Sequence, residues 1–403
     1  MTASPAPEAS GSERALFRLI GGHVFIHASM AGMRLASPLL ILRESHSAMA
    51  VGMLLALFSL TQVFQALPAG RYADRHGIRR PIAFSVAGAT AGALLAFLFP
   101  VFPVLCLSAL LSGAATGTAS IVLQRHVGRS ARDATELKRF FGWLSLGPAF
   151  ANFLGPFVAG LLIDSVGAWL GGQGIERPGF RAAFLLLAVF PLLSWYLVRN
   201  THEHPKEEAQ AGTDGRRIID LLRVPMMRQL LIVNLLLAAC WDVHTFVVPV
   251  LGHERGLSAS AIGSLLGIFA IAAAVIRLLM PLVAAQLRER VVLSVAMLLT
   301  ALVLLAYPFM PTAMGMGICS VLLGLALGSI QPMIMSALHQ ITPRDRHGEA
   351  LGLRLMSING SSVVMPMLFG LLGAAVGVSV VFWLVGASAA LGARLAWDLR
   401  TEG

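Results

Sequence analysis

Long apolar runs separated by short polar segments dominate the hydrophobic pattern of the chain. Each run is close to the roughly 20 residues that a helix needs to cross a bilayer. The runs are continuous rather than alternating, so they predict membrane-spanning helices and not the strands of a barrel. Twelve helices are predicted, at residues 15–42, 48–70, 81–100, 102–124, 139–163, 180–199, 226–251, 259–285, 291–309, 312–338, 349–375 and 378–397.

One long polar segment divides the twelve helices into six and six. Its mixed charge and low hydrophobicity are typical of a linker, and its IIDLLR stretch is a candidate for a short amphipathic helix on the membrane surface. The predicted organisation is a cytoplasmic N-terminal tail at residues 1–14, a six-helix lobe at 15–199, a cytoplasmic linker at 200–225, a second six-helix lobe at 226–397 and a cytoplasmic C-terminal tail at 398–403.

Composition and charge agree with a chain whose solvent is the bilayer. Of 403 residues, 57% are hydrophobic and 12% are charged, whereas a soluble domain carries about 25% charged residues. The net charge is +10, and the basic residues fall mainly in loops that face the cytoplasm if the N-terminus is inside. We expect an all-α, multi-pass protein of the cell inner membrane with both termini cytoplasmic. No segment interleaves basic and aromatic residues as single-strand binders do, so no nucleic acid is expected as a partner.

An internal duplication relates the two halves of the chain. Pro38 and Gly52 match Pro249 and Gly263 at an offset of 211 residues. At an offset of 210, the matches are Gly142 with Gly352, Pro156 with Pro366, and the Gly160-Leu161-Leu162 triplet with Gly370-Leu371-Leu372. Parallel six-helix repeats build one large class of transporters, which hold substrate between the halves near the midplane. The duplication therefore predicts two pseudo-symmetric six-helix bundles.

The loop after the second helix reads GRYADRHGIRR, from Gly70 to Arg80. It resembles the signature loop of the major facilitator superfamily, Gly-x-x-x-Asp-Arg-x-Gly-x-Arg-Arg, and lies in the same place. The resemblance implies the major facilitator fold and a secondary transporter that works by alternating access. It also implies a gating motif, formed by Gly70, Asp74, Arg75, Gly77, Arg79 and Arg80.

In this family the acidic residue of the motif docks against the start of the eleventh helix and latches the cytoplasmic gate in the outward-open state. A carboxylate such as Asp74 suits the positive end of a helix. The alternative is a merely basic loop that only sets topology. At the 211 offset, Asp74 corresponds to Ala285, so the second lobe has lost the motif.

Gly and Pro recur along the fifth helix, at Gly147, Pro148, Gly155, Pro156 and Gly160. The pattern is similar to the Gly-Pro-rich helix of the family's exporters, so the resemblance favours export over uptake. Ordinary helix packing is the alternative. The chain departs from the family's drug exporters in two places: the fourth helix lacks their Arg, and Arg34-Leu-Ala-Ser-Pro38 replaces their Asp-x-x-x-Pro. These departures leave the route of proton coupling open.

Ionisable residues inside a bilayer are costly, so each is a functional candidate. Asp242 is the sole acid well inside an apolar run, and the duplication places its helix opposite the helix of Arg34. One hypothesis makes Asp242 the proton carrier, whose protonation breaks an Arg34–Asp242 pair and biases the rocking equilibrium. The alternatives are a permanent structural ion pair, or an Arg34 that faces open cavity and favours an anionic substrate group. Arg277 and Arg354 lie toward the cytoplasmic helix ends, where snorkelling to the interface is the simpler expectation.

Six further residues are candidates for substrate binding or proton coupling, namely His23, His27, His244, Trp241, Gln331 and Asn359. His23 and His27 are one turn apart, so they could line the same face. His244 follows Asp242 by two positions and points away from its face, so it is not an obvious relay partner.

No motif indicates an enzyme, a metal or a cofactor. Cys106, Cys240 and Cys319 lie far apart within apolar runs, as small core residues do, and not at the spacing of a zinc site or a disulfide framework. Neither Lys follows a Gly, so the chain has no phosphate-binding loop of the nucleotide-driven pumps. No His-Glu-x-x-His or Gly-x-Ser-x-Gly stretch is present.

The expected function is secondary active transport of a small organic molecule, in the form of a proton-coupled exporter of drugs or metabolites. The first alternative is a proton-coupled uptake symporter for an organic anion. The second is a transporter-like membrane sensor, which would normally add a soluble output domain that the short linker does not provide. The expected partners are a small-molecule substrate, protons and the lipid bilayer, and the chain is expected to act as a monomer.

Overall fold

The computed structural model describes residues 8–44, 47–130, 134–169, 177–201, 218–283, 288–342 and 347–399. Long α-helices account for nearly all of these residues. In chain order they are α1 (Glu8–Arg43), α2 (Ala48–His76), α3 (Arg79–Leu98), α4 (Phe102–Ser130), α5 (Ala134–Trp169), α6 (Arg177–Val198), α7 (Pro225–Glu254), α8 (Ala259–Val283), α9 (Glu289–Ala306), α10 (Ala313–Ile341), α11 (His347–Val376) and α12 (Val378–Trp397).

The prediction of twelve membrane-spanning helices is confirmed, because every one of these helices contains a span of sufficient length and hydropathy. The mean hydropathy of the spans runs from 1.4 to 2.4. The predicted boundaries are too short at some ends: α1 begins at Glu8 rather than at Ala15, and α5 covers Ala134–Trp169 rather than 139–163. A hydropathy pattern detects only the apolar part of a helix, whereas these extensions carry polar residues such as Glu8, Glu13 and Glu136.

Short connections join the helices at the two ends of the molecule. We call the end where α1, α7 and α11 finish the far end, and the end where α1 and α7 begin and α12 finishes the near end. Ser47 and Thr312 cap far-end helix starts, since their hydroxyls accept from the backbone amides of Ala50 and Gly315. At the near end, the IIDLLR stretch forms a short 3₁₀ helix, Ile218–Arg223, packed against α7 and α11. Residues 202–217 of the predicted linker lie outside the described residues.

The helices form two six-helix bundles, as predicted. In the first bundle α1 packs against α4, α5 and α6, and α3 packs against α4 and α6. In the second bundle α7 packs against α10, α11 and α12, and α8 packs against α10. Between the bundles, α2 packs against α11 and α5 packs against α8, with α1 and α7 meeting at the centre.

The two crossings between the lobes are equivalent under the internal duplication. Gly52 of α2 lies against the carbonyl oxygen of Pro366 in α11, and Gly263 of α8 lies against the carbonyl oxygen of Pro156 in α5. Neither position leaves room for a Cβ atom, so glycine allows the helix backbones to touch, as small residues do in membrane proteins. Both crossings lie toward the far end. The lobes are therefore closed against each other at that end.

Polar contacts also join loops at the far end. Arg177 at the start of α6 forms an ion pair with Glu44 after α1, with Nη2 and Oε1 3.1 Å apart. The guanidinium of Arg255, after α7, donates to the carbonyl oxygens of Pro308 and Met310 between α9 and α10. Each of these contacts lies within one lobe, so they hold the loops of a lobe together and leave the movement of the lobes free.

A candidate transport cavity and its gate

A central cavity lies between the lobes, at mid-depth of the bundle. It has a volume of about 230 Å³, and α1, α2 and α5 of the first lobe and α7, α8 and α11 of the second lobe form its wall. We call it the central chamber. The polar residues of its wall are His27, Arg34, Ser59, Gln62, Asn152, Thr245, Asn359 and Ser362, and its aromatic residues are Trp241 and Phe269.

A second cavity, of about 260 Å³, opens beside the central chamber, and helices of the second lobe form most of its wall. We call it the arginine branch. It shares Arg34, Trp241, Thr245 and Ser362 with the central chamber. The other polar residues of its wall are Asn234, Asp242, Arg277, Gln331 and Arg354. Four of these residues lie in the near-end halves of their helices, namely Asn234, Arg277, Gln331 and Arg354. This cavity therefore leads from the midplane toward the near end.

Asp242 lies buried in the wall of the arginine branch, with 5% of its surface exposed. Its carboxylate accepts two hydrogen bonds from α11, from Ser361 Oγ at 3.3 Å and from Ser362 Oγ at 3.4 Å. Arg34 lines the same cavity from the other lobe, and the charges of Arg34 and Asp242 act on each other. In the described part of the chain, neither of these residues has a direct ion-pair partner. The serines, rather than Arg34, satisfy the carboxylate in this conformation.

Four of the other candidates also line the cavities. His27 faces the central chamber beside Asn152 of α5. Asn359 is in the wall of the central chamber and Gln331 in that of the arginine branch. Trp241 lines both cavities, and its ring meets Phe269 edge-on with the ring centroids 4.6 Å apart.

His23 and His244 lie in helix contacts and not in the walls of these two cavities. His23 is buried, with Nε2 2.9 Å from Ser120 Oγ of α4, and its ring lies edge-on to that of His27 at 5.7 Å. His244 Nε2 lies 2.9 Å from Ser320 Oγ of α10, and its ring stacks on Phe269 at 3.9 Å. These contacts hold helices together within each lobe. The structure therefore separates His23 from the cavity that its neighbour His27 lines.

The expectation that Arg277 and Arg354 snorkel to the membrane interface is wrong, because both side chains turn into the arginine branch. Arg354 is only 7% exposed, and its Nε donates to Asn234 Oδ1 at 3.2 Å. The guanidinium carbon of Arg277 lies 5.5 Å from the centroid of the Trp241 ring, a cation–π contact. The physical reason is that α8 and α11 flank the gap between the lobes, so these positions face the gap rather than lipid.

The Gly- and Pro-rich helix α5 packs against both lobes. The residues predicted to mark its interface role are Gly147, Pro148, Gly155, Pro156 and Gly160. Gly147 lies near His23, and Gly155 lies against the backbone of α1 at Ala28 and Gly32, so the first part of α5 packs within its own lobe. Pro156 and Gly160 lie against α8 of the other lobe, at Gly263 and Ala259. The far-end part of α5 is therefore the interface part.

Asp164, near the far end of α5, closes this crossing with a pair of charge-assisted hydrogen bonds. The backbone amide of Ala259 donates to Oδ1 at 3.1 Å, and that of Ser260 donates to Oδ2 at 2.7 Å. These two residues are the first of α8, so the carboxylate of one lobe meets the positive end of a helix in the other. Asp164 was not among the candidate residues that were named from the sequence. The contact joins the two lobes at the far end, and we call it the far-end gate.

The predicted gating motif spans the near-end turn between α2 and α3. Gly77 ends α2 with a φ of 73°, in the left-handed region that favours glycine. Arg79 begins α3, and its guanidinium donates to the carbonyl oxygen of Thr201 at 3.2 and 3.3 Å, while Arg80 is exposed. The surroundings of Gly70, Asp74 and Arg75 lie outside the part of the chain that the structure describes. The latch between Asp74 and α11 therefore stays a prediction.

The described residues gather no set of three His, Cys, Asp or Glu side chains that could hold a metal ion. What the structure does bring together is two pseudo-symmetric bundles of membrane helices, a polar cavity between them and close contact between the bundles at the far end. These features define a membrane transporter of the two-lobe kind, with its solute site between the lobes.

The family model of the Major Facilitator Superfamily matches residues 19–313 and 230–402 of the chain. The chain therefore belongs to this superfamily, whose members are transporters and not enzymes, and the predicted membership of the superfamily is confirmed. The multidrug resistance protein MdtG of Dickeya zeae is 23% identical over 352 residues, which are 85% of this chain and 83% of that protein. The class B tetracycline resistance protein of Escherichia coli is 27% identical over 169 residues, which are 41% of this chain and 40% of that protein.

Solved structures share the fold across nearly the whole chain. The crystal structure of a D-xylose–proton symporter superposes with a TM-score of 0.78 at 14% sequence identity, and the match covers 96% of this chain and 97% of that one. At this identity the likeness shows the fold alone. The chain is therefore a multi-pass major facilitator transporter.

Proposed function

We propose that this transporter couples the movement of a small organic molecule to protons, with Asp242 as the residue that binds the proton. The observation that supports this assignment most directly is that, within the described walls of both cavities, Asp242 supplies the one carboxylate. Protonation would remove its charge beside Arg34 of the other lobe. A change in charge across the lobe interface shifts the balance between conformations of the transporter.

Two observations favour export of the solute over uptake. The Gly- and Pro-rich part of α5 forms the closed crossing with α8, at Gly160 and Gly263, and this pattern is similar to the corresponding helix of exporters. The names of two relatives refer to multidrug and tetracycline resistance, and removal of a drug from the cell is how a transporter gives resistance. The proposed cargo is accordingly a drug or a metabolite.

Proton-coupled uptake of an organic anion is the second candidate. One observation favours it: three guanidinium groups, those of Arg34, Arg277 and Arg354, line the arginine branch. An excess of positive charge at a site favours anionic solutes. The two candidate functions share the proposed proton site. They differ in the charge of the transported solute and in the direction of transport.

We place the protein in the inner membrane as a monomer, with the near end and both termini in the cytoplasm. The distribution of Arg and Lys supports this orientation, and a complete cavity between the two lobes of one chain supports the monomer. The proposed domains are those of the sequence pattern, with lobes at 15–199 and 226–397.

In intact cells, a membrane-impermeant maleimide should label a cysteine placed at Trp169, at the far end, and not one placed at Arg288. The reverse labelling would overturn the orientation.

Reconstituted liposomes that contain a pH-sensitive dye test the proton site. A panel of drugs and organic anions is added to the parent protein and to Asp242→Asn. We expect at least one solute to evoke a pH change with the parent protein and none with Asp242→Asn. Glu44→Gln, which removes an acid from the far-end loop, serves as the control and should behave as the parent. Equal proton movement in the parent and in Asp242→Asn would show that Asp242 is structural.

A further inference from the structure

The arginine branch carries more positive charge than its own residues neutralise. Arg34 of α1, Arg277 of α8 and Arg354 of α11 line it, and within its described wall Asp242 is the one acid. An isolated charge is expensive to hold away from water, so such groups normally pair with an opposite charge. The branch therefore holds cationic groups for which the described protein supplies no matching anion.

The unmatched hydrogen-bonding atoms around the branch are donors. Arg277 Nε and Asn234 Nδ2 are buried, and neither has a hydrogen-bond partner among the described residues. Arg354 Nε is bonded to a neutral amide oxygen, that of Asn234. A buried donor without an acceptor costs free energy, and the charges of Arg277 and Arg354 also act on each other unfavourably. A bound group with several negatively charged oxygens would accept hydrogen bonds from these donors. The same group would reduce the repulsion between the two guanidinium groups.

Packing holds the two guanidinium groups in the branch. Arg277 lies over the ring of Trp241, and Arg354 is almost wholly buried beside Asn234. A pair of fixed guanidinium groups can bind the oxygens of an acid through paired N–H donors. The adjoining central chamber offers the rings of Trp241 and Phe269, which suit an apolar body attached to such an acid.

We propose that the arginine branch is a binding subsite for the acidic group, a carboxylate or a phosphonate, of an amphipathic organic anion, and that Arg277 and Arg354 bind its oxygens. The apolar part of the molecule lies in the central chamber against Trp241. This inference rests on the proposed function to the extent that the cavity is the solute site, and the class of solute that it names is the organic anion of the second candidate.

Binding of three matched probes to the purified protein in detergent tests the subsite. The probes are phenylacetate, phenylphosphonate and the uncharged phenylacetamide, and binding is followed by calorimetry. We expect the anions to bind the parent protein more tightly than the amide. Arg277→Gln and Arg354→Gln should each weaken the tighter anion about tenfold or more, because a hydrogen bond to a charged group is worth roughly 1.5–3 kcal/mol, and should leave the amide unchanged. The anion that binds more tightly shows whether the subsite prefers a carboxylate or a phosphonate.

Arg290→Gln is the matched control. Arg290 also lies over a Trp ring, with its guanidinium carbon 5.6 Å from the centroid of Trp397, but it is not in the wall of either cavity. This variant should bind all three probes as the parent does. Arg277→Lys and Arg354→Lys keep the positive charge, so they should retain part of the anion affinity, and they provide a second test if a Gln variant does not fold.

Three results would overturn the subsite. The first is that the parent protein binds phenylacetate and phenylacetamide with equal affinity. The second is that neither anion binds the parent protein at millimolar concentration. The third is that Arg290→Gln loses as much anion affinity as Arg277→Gln and Arg354→Gln do. The measurement uses no proton gradient. Failure of the proton assignment would appear in the liposome experiment on Asp242→Asn and leave the anion affinities unchanged, so the two failures can be told apart.

Discussion

Asp242 and His244 lie two positions apart on α7, yet their side chains have different surroundings. Successive residues of a helix turn by about 100°, so positions two apart point to different sides. Asp242 points to the serines of α11 and the arginine branch, whereas His244 points to Ser320 of α10. We therefore propose that Asp242 binds the proton and that His244 has a packing role.

Replacement of His244 by Leu should lower stability and leave proton coupling intact. The variant loses the bond from His244 Nε2 to Ser320 Oγ, while Ser320 keeps its contact with the hydroxyl of Tyr307 at 2.9 Å. Because Ser320 keeps a partner, the loss of this one hydrogen bond costs roughly 0.5–1.5 kcal/mol, which a thermal unfolding scan in detergent would measure. A changed ratio of protons to solute in His244→Leu would contradict this assignment and bring His244 into the coupling site.

The sequence alone predicted several residues of the cavity walls. Asp242, Arg34, Trp241 and His27 line a cavity, and their residue types in an apolar setting are informative because polar groups in the bilayer usually face a cavity or a partner. The rotation of each helix about its axis could not be predicted. On α7 nearly every residue from Asp242 to Gly252 is buried, so no lipid-facing stripe indicates which side faces the cavity.

At the scale of the helices, apolar run length predicted all twelve spans but not their polar ends. The interface role of α5 was predictable from its Gly and Pro residues, because close approach of helices requires small side chains. The partner of Asp164 was not predictable, because a carboxylate at the end of one helix carries no information about which distant helix start it meets. Only the fold brings Asp164 to Ala259 and Ser260.

Replacement of Asp164 by Asn should open the far-end gate more often. The change removes the negative charge at the start of α8, an interaction worth about 1 kcal/mol, which equals roughly a fivefold shift in the ratio of closed to open far ends. Spin labels on cysteines at Trp169 and Glu254, in a background without the native cysteines, report the distance between the lobes at this end. We expect a larger population of the longer distance in Asp164→Asn.

Glu44→Gln is the matched control for the gate. Glu44 is also an acid at the far end, but its ion pair with Arg177 joins two loops of the same lobe. Its replacement should leave the distribution of distances between the lobes unchanged. Equal distributions in Asp164→Asn and the parent protein would contradict a gating role for Asp164.

At the scale of the whole molecule, the duplication relates two lobe crossings that carry acids at opposite ends. Asp164 closes the α5–α8 crossing at the far end, and the equivalent position in α11, at the 210 offset, is Ala374. Asp74 is predicted to latch the α2–α11 crossing at the near end, and its equivalent is Ala285. If the predicted Asp74 latch forms, each end of the lobe interface has one acid that stabilises its closed state.

Charge links the proposed proton site to the proposed subsite for an anion. Asp242 lies in the same cavity as Arg34, Arg277 and Arg354, and His27 lines the chamber beside it. A deprotonated carboxylate repels an incoming anion, so a proton on Asp242 and an anion on the arginines favour each other's binding. An anionic cargo would therefore travel with the proton, whereas a cargo that competes with the proton for Asp242 would travel against it.

The most direct test of proton coupling through Asp242 compares two transport modes in one variant. In liposomes, Asp242→Asn should still exchange labelled for unlabelled solute at equal pH on both sides, because the cavity remains. It should lose accumulation of solute driven by a pH gradient, because the proton site is absent. Retention of gradient-driven accumulation, or loss of the exchange together with the accumulation, would contradict a proton-carrying role that is separate from solute binding.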